Sequence, residues 1–445
     1  MESVLQEIKD SLGKNDDFFQ IEQELGDNSA VILGLKSLVD FPKTLLAIQK
    51  QFESRVLNTE TTDQRLYGIG EVKNKDKNEI TSLILEGKII LFFKNEQDFV
   101  LTVDPFSQTL NRSIESPANE NILQGPLSSF NEDINTNIGI LRKQIVSEKL
   151  QVRSYSIGTD QKRSLSLVYY DDRVNSNLLH KILNQIEKNL NKELNNAQDL
   201  SKLMGISFWS VVSHFNTTES PQEASMSLFK GRMVLFVDRM PLAFILPSLL
   251  WDMFAMENDR NFPFPLMVSI RSLRIIGVLI TLIVPGLYVA LVSVNPEVLR
   301  IELALSIAQS REGVPYPAFV EMIIMLIVLE LIMEASVRLP KSIGPTITMV
   351  GGIILGQAAV DAKLVSNLLI IILAATTIAN STIVGFQNSI SIRIFKYIIL
   401  ILASIYGVLG ILAGVFLICT YWASINTLGV PFLNIYYSKD EIKSG

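Results

Sequence analysis

The spacing of polar and apolar positions divides the chain in two. From Met1 to about Asp238 charged and amide side chains recur every few residues, and the apolar residues between them form short periodic groups. From Leu273 onward the pattern changes to runs of roughly 18 or more mostly apolar residues, long enough to cross the ~30 Å hydrocarbon core of a bilayer as a helix. Four such runs are Leu273–Val294, Ala318–Val337, Val365–Phe386 and Tyr397–Ile425, and a glycine-rich fifth is Ile343–Val360. The pattern predicts an α+β N-terminal region of two small α/β subdomains, followed by an α-helical multi-pass membrane domain of about five helices. The expected organisation is one subdomain over 1–115, a second over 116–240, an interfacial or re-entrant segment over 241–272, the helical domain over 273–430 and a tail over 431–445.

Within the polar half, Phe41 to Phe52 has helical spacing, and Ile80 to Val103 reads as a strand meander broken at Glu86-Gly87 and at Lys94 to Gln97. Pro105 to Gly125 lacks periodicity and reads as a loop. The second unit carries helices at Phe130–Val146 and Asn175–Leu194, with strands at Val152–Ser156 and Ser164–Tyr170 between them. Ile182, Ile186 and Leu190 mark one face of the later helix. Lys230 to Val237 echoes Glu86 to Phe93, which is read as two hairpins of similar design rather than as a duplicated domain. Pro241–Phe254 is apolar but too short to span a bilayer, which is why it is assigned to the interface, with Trp251 at the boundary.

Charge refines this picture. The net charge of −6 comes with no block of Lys and Arg of the kind that binds nucleic acid. Flanking basic residues place the N-terminal region on the cytoplasmic side, with Arg271, Arg274, Arg338, Lys341, Arg393 and Lys396 inside and Arg300, Arg311 and Lys363 outside. Five crossings would put the C-terminal tail outside. The first thirty residues are acidic and polar, with no secretory leader pattern.

The candidate chemistry lies among the apolar runs. Glu321, Glu330 and Glu334 sit in one otherwise apolar helix, where ionisable groups face a bundle interior or water. Glu330, Glu334 and Arg338 share a face, and Glu321 is half a circumference away. These acids, with the lone amide Gln357, are the candidate ion path. The structural alternative is that Glu334 pairs with Arg338 and a neighbouring helix satisfies Glu330. Gly351, Gly352 and Gly356, and the pair Gly410 and Gly414, are candidate sites of close helix packing. Pro285 is expected to bend its helix. Asn295 to Pro317 reads as a surface-lying amphipathic helix.

The single cysteine, Cys419, leaves no intrachain disulfide and no cysteine cluster for a metal. His180 and His214 are distant in sequence and read as structural, and Asp171-Asp172 as a solvated turn. No phosphate-binding glycine loop is present. The expectation is a protein that is not an enzyme and needs no metal or cofactor.

In order along the chain, GRMVLFVD (Gly231–Asp238), PSLLWD (Pro247–Asp252), PGLYVAL (Pro285–Leu291), Pro296–Glu302, LSIAQSREGVPYP (Leu305–Pro317), Arg338-Leu339-Pro340 and IGPTITMVGGIILGQAAV (Ile343–Val360) resemble the A subunits of GerA-type nutrient germinant receptors of spore-forming bacteria. A weaker likeness at Gly125-Pro126 and Phe130 through Asn137 to Arg142 extends the match to about Gly125–Pro431. The sequence departs from the family pattern at Met256–Pro263, at Arg239 in place of a usual glycine, at Leu127, Ser128 and Ser129, and around Val384. The resemblance implies a multi-pass subunit of the spore inner membrane that works with a transporter-like B subunit and a lipoprotein C subunit. It also implies a homo-oligomeric ring forming a nutrient-gated cation channel, with Arg311, Glu312, Gly313 and Pro315 in a family-motif loop. A non-conducting scaffold for the B subunit and a secondary transporter are the alternatives, and the absence of an internal repeat among the apolar runs ranks the transporter last.

Overall fold

The fold comes from a computed structural model that describes residues 2–25, 28–56, 70–74, 76–93, 99–106, 126, 128–207, 209–339 and 344–434. The first module opens with helix α1 (Glu2–Leu12) and a hairpin, β1 (Phe18–Leu25) and β2 (Asn28–Leu35). It continues through α2 (Phe41–Val56), β3 (Glu71–Asn74), α3 (Lys77–Leu85), β4 (Ile89–Phe93) and β5 (Phe99–Val103). The strands form an antiparallel sheet in the order β1-β2-β4-β5-β3. All five β4 residues are buried, and Ile8, Leu12, Ile48, Phe52, Ile80 and Ile84 of the helices complete the core.

The first part of the expected meander is a helix. Ile80, Thr81, Ile84 and Leu85 are buried while Ser82 is exposed, a repeat of three to four residues rather than two. Asp76 starts the helix by accepting the Asn78 amide at 3.2 Å. The β4–β5 hairpin is where the sequence places it. The irregular segment expected up to Gly125 lies outside the described residues from 107 onward.

The second module repeats the first. It comprises α4 (Ile134–Gln144), the hairpin β6 (Leu150–Ile157) and β7 (Arg163–Tyr170), α5 (Ser176–Lys188) and α6 (Ala197–Leu203). After these come β8 (Asn216–Thr218), α7 (Pro221–Phe229), β9 (Met233–Val237) and β10 (Ala243–Leu246). The sheet order β6-β7-β9-β10-β8 matches that of the first module position for position, and all its pairs are antiparallel. The echo between Glu86–Phe93 and Lys230–Val237 is therefore one part of a whole repeated module, not two hairpins alike by chance of composition. Gly87 and Gly231 occupy the same turn in each copy, at φ +92 and +82. Arg239 also has a positive φ of 65.

One expectation changes at the end of this module. Ala243–Leu246 is not an interfacial or re-entrant segment but a strand hydrogen-bonded on both sides, to β9 and β8, with all four residues buried. Its apolarity serves a sheet core. Residues 250–253 and 257–261 then form two short 3₁₀ turns leading into the helical half.

A buried charge cluster joins the modules. Arg142 of α4 is 1 % exposed, and its Nε and Nη2 donate to the two oxygens of Asp17 at 2.6 and 2.7 Å. Asp17 also accepts the Ser37 hydroxyl at 2.7 Å, and Asn15 accepts both Arg142 Nη2 and the Val152 amide. The planar guanidinium matches the carboxylate as a two-pronged fork, which a lysine could not do.

The helical half contains α8 (Phe264–Val289), α9 (Ile301–Ser310), α10 (Ala318–Arg338), α11 (Gly344–Asp361), α12 (Asn367–Asn380), α13 (Phe386–Tyr406) and α14 (Val408–Ser424). A short ribbon, β11 (Asn426–Thr427) with β12 (Val430–Pro431), follows. Helix α8 runs through Pro285 and ends in one π-helical stretch, Ala290–Val294. Phe264–Val294 and Phe386–Tyr406 are long and apolar enough to cross a membrane, and Asn367–Asn380 and Val408–Ser424 are shorter apolar helices.

The expected last run, Tyr397–Ile425, is two helices. Gly407, at φ +61, reverses the chain between α13 and α14, and a Cβ there would meet Asn295 Oδ1 at 1.9 Å. Arg393 and Lys396, expected to flank a span, lie inside α13 instead. The chain thus returns to the second module: the Leu250 amide donates to the Phe432 carbonyl at 2.8 Å, and Val430 packs into the second module's core. Residues 426–434 therefore sit on the module side, not opposite it, and residues 435–445, like Lys341, lie outside the described residues.

Removing Arg142 leaves the Asp17 carboxylate buried without its partner, a loss of about 3–5 kcal/mol. Arg142→Met should lower the denaturant midpoint of the full chain strongly, and the double variant Arg142→Met, Asp17→Leu should recover part of it. Equal effects of the single and double changes would contradict a coupled pair.

Candidate functional site

The candidate acids of α10 are distributed over three environments. Glu321, in the first turn, is 0 % exposed. Its Oε1 accepts the Ser366 amide at 2.6 Å and its Oε2 faces Arg311 Nε at 3.4 Å. The Ser366 hydroxyl caps α12 at the Leu369 amide and lies 3.1 Å from the Tyr288 hydroxyl of α8. Arg311 also donates to the Tyr316 carbonyl, which closes the turn around Gly313 at φ +87. The loop named from the resemblance is thereby tied through Arg311 to α8, α10 and α12, while Glu312 and Pro315 point to its exposed side.

Glu330 lies about two and a half turns of helix further along. Arg393 Nη1 of α13 donates to its Oε2 at 2.6 Å, and Lys396 Nζ stands 3.5 Å from Oε1. Glu334 is 61 % exposed and pairs with Arg338 one turn on. A groove of about 380 Å³ between α10 and α13 is lined by Glu330, Glu334, Arg393 and Tyr397 together with Ile327 and Leu331. The pairing matches the structural alternative for these residues. One carboxylate facing two cations also leaves the Glu330 cluster positive within one chain, so these acids do not by themselves form a cation-attracting stripe.

The remaining candidates separate by surroundings. Gln357 of α11 is exposed, next to exposed Ile353, Ile354 and Leu355. Gly352 would have nothing within 4 Å of an added Cβ, and Gly356 only Ile370 at 3.9 Å. Gly410 and Gly414 do lie in a close helix contact, where an added Cβ would meet the Leu402 carbonyl oxygen at 2.0 Å and Ile399 at 3.0 Å. Gly351 falls in α11. Among the described residues no cluster of three metal-ligating side chains occurs.

Sequence reasoning missed the residues that couple the two halves. Asp259, buried in the second 3₁₀ turn, accepts Arg274 Nη1 and Nη2 at 2.7 and 2.9 Å and Arg271 Nε at 3.2 Å. Both arginines also donate to carbonyls of the same connector, Phe254 and Met256. Arg232 donates through Nη1 to both oxygens of Asp252 at 2.9 Å, and Glu257 is held by Lys230 and Arg260. The bases at 271 and 274 were read as a topological signal only. The run of acids Asp252, Glu257 and Asp259 opposite them was the available cue. Nearby, the Val211 amide donates to the Tyr421 hydroxyl and the Ser391 hydroxyl to the Val211 carbonyl, which dock the second module on α13 and α14. Burial holds the His214 imidazole below its ordinary pKa, beside the Thr427 hydroxyl at 2.9 Å.

The model of the Bacillus/Clostridium GerA spore germination protein family matches residues 6–443. The chain belongs to the GerA family. The match also takes in most of the first module, ahead of the point at which the sequence resemblance began. GerLA, a spore germination protein of Bacillus cereus, is 30 % identical over 439 residues, covering 96 % of this chain and 88 % of its own. Spore germination protein B1 of Bacillus subtilis (strain 168) is 28 % identical, covering 97 % and 91 %. YfkQ, a membrane protein of the same organism, is 29 % identical over 368 residues, covering 82 % and 71 %. Among solved structures, the N-terminal domain of the A subunit of the Bacillus megaterium germinant receptor GerK3 aligns with 55 % of this chain and 94 % of its own, at 22 % identity and a TM-score of 0.41.

Glu330→Gln leaves two cations facing one neutral amide and should lower stability in detergent by about 1–3 kcal/mol. Glu334→Gln, in an exposed pair one turn apart, should change it by less than about 0.5 kcal/mol. Thermal unfolding of the two variants side by side measures the difference, and equal losses would contradict the assignment.

Proposed function

We propose that this protein is the A subunit of a spore nutrient germinant receptor, embedded by its helical half in the spore inner membrane with both soluble modules on the cytoplasmic side. Family membership and the A-type relatives support the receptor role. Among the described residues, the six helices of 14 or more residues between Phe264 and Ser424 support an arrangement in which both flanks of the helical half face the same side.

The observation that carries the finer reading is polar surface left uncovered on apolar helices. Gln357 and Glu334 are exposed beside exposed Ile353, Ile354 and Leu331, a costly arrangement against lipid. Further copies of the chain, or a transporter-like B subunit, would cover this surface, and a ring of copies would turn it toward a shared aqueous path for monovalent cations. In that arrangement the Glu330–Arg393–Lys396 cluster stands beside the path as the element that must rearrange for cations to pass, because one carboxylate facing two cations leaves its closed form net positive.

A second reading is favoured by the pairing itself. With Glu321, Glu330 and Glu334 each engaged by a base, the subunit would serve as a non-conducting scaffold that holds the nutrient-binding partner. Cation flux from proteoliposomes containing the assembled receptor separates the two. Conduction predicts nutrient-dependent flux that Gln357→Leu lowers by about tenfold or more while assembly is retained. An assembled receptor with no flux, or with flux indifferent to position 357, would establish the scaffold reading instead.

A further inference from the structure

The stretch between α6 and β8 stands out by its composition. No Asp, Glu, Lys or Arg occurs between Lys202 and Glu219, the longest such interval ahead of α8. Its one titratable side chain, His214, lies against the Thr427 hydroxyl at 2.9 Å. Within this uncharged loop Trp209 is 80 % exposed. One exposed large side chain is ordinary by itself. The place at which the loop is fastened gives this one its meaning.

The Ser391 hydroxyl of α13 donates to the Val211 carbonyl at 2.6 Å, and the Val211 amide donates to the Tyr421 hydroxyl of α14 at 3.0 Å. Ser207 and Ser210, on either side of Trp209, share the wall of one pocket with Gln387 and Ile390 of α13. Along α13 the exposed side chains pass from Gln387 to Ile394, Ile398 and Ile401. Along α14 they pass from Leu412, Phe416 and Leu417 to Thr420 and Ser424. Ser391 and Tyr421 therefore stand where both helices change from polar to apolar surface. Trp209 is two residues from the peptide groups they hold. Two residues of chain reach at most about 7 Å, comparable with the thickness of one interfacial layer of a bilayer.

We propose that Trp209 anchors the second module to the lipid bilayer, its indole seated at headgroup level on the module side of the membrane. The inference rests on the reading that the helical half spans the bilayer. Indole combines a flat apolar body with a single N–H donor, which suits the boundary between hydrocarbon and water. A loop pressed onto that boundary loses hydration, and a charged side chain would lose the most. The composition of the interval from Lys202 to Glu219 meets that constraint. The anchor acts beside the Val211 hydrogen bonds, so the second module meets the bilayer itself as well as α13 and α14. The inference holds whether or not the assembled receptor conducts ions.

Tryptophan fluorescence of the full-length protein in phosphatidylcholine vesicles tests it. With Trp251→Phe and Trp422→Phe in place, Trp209 is the only tryptophan left. Lipid brominated near the glycerol end of its acyl chains should then lower the emission about twofold or more, and further than lipid brominated near the methyl end. A companion protein carries Leu279→Trp with the three native tryptophans changed to phenylalanine. Leu279 lies at the middle of Phe264–Val294 and is 50 % exposed, so the new indole reports whether that helix spans. Its emission should fall most with bromine near the methyl end. Quenching of the companion, with Trp209 emission untouched by either lipid, overturns the anchor while the spanning helix stands, and assigns the loop to water or a protein partner. If neither protein is quenched, the spanning reading fails and the anchor falls with it. Should the single-tryptophan protein not fold, Trp209→Phe alone should remove part of the glycerol-end quenching seen in the wild type. An unchanged quenching profile in that variant overturns the proposal.

Discussion

The carboxylate of Asp259 holds the two halves of this protein in one arrangement. It lies in a short turn after the second module and accepts hydrogen bonds from both Arg271 and Arg274, one turn apart on the first long apolar helix. The carboxylate is buried, with a side chain 5 % exposed, so losing both arginines would strand its charge. The preceding 3₁₀ turn is held by Arg232, whose Nη1 donates to both oxygens of Asp252, and the Val384 amide donates to the Met253 carbonyl beside it. Helix direction is thus set by a fork of charged hydrogen bonds, where apolar packing alone would leave rotation and tilt free.

A second arginine fork does the same work between the soluble modules. Each module is the same arrangement of hairpin, helix, single strand, helix and hairpin, and each builds its core on a central strand buried on both faces, β4 and β9. Two copies of one fold need a specific contact to meet in one orientation. Arg142, reaching from the first helix of the second copy to Asp17 of the first, supplies it, with Asn15 and Ser37 satisfying further hydrogen bonds.

Much of this was legible in the sequence because apolar periodicity reports burial. The division at about residue 240, the helices at Phe41 and Asn175, and the strands from Leu150 to Tyr170 all carry their spacing openly. The failures have physical causes. Ile80–Leu85 is rich in β-branched residues, yet its burial repeats every three to four positions, and six residues are too few to distinguish the periods. Ala243–Leu246 is uniformly apolar because both faces of this interior strand are covered, which imitates a membrane segment. Arg393 and Lys396 hid the start of α13 because their charges are compensated by Glu330, sixty-odd positions away, a pairing that no local window can show. Gly407 reversed a run that hydropathy alone reads as continuous. The duplication was missed for a related reason, since the copies share topology while their side chains, apart from the Gly87 and Gly231 turns, differ.

The candidate ion path was legible in residue identity but not in state. Glu321, Glu330 and Glu334 stand where the sequence places them on α10, and each is engaged by a base that sequence spacing suggests only for Glu334. A series of buried hydrogen bonds and ion pairs runs from the repeated modules, through Asp259, into the helices that carry those paired charges. A double-mutant cycle on thermal stability of the full-length protein, combining Asp259→Asn with Arg274→Met, tests that connection most directly. The account predicts a large loss for each single change, about 3–5 kcal/mol for a broken buried pair, and a double variant far more stable than their sum implies. Losses that simply add would show that Asp259 and Arg274 act independently and that the two halves are not fastened at this point.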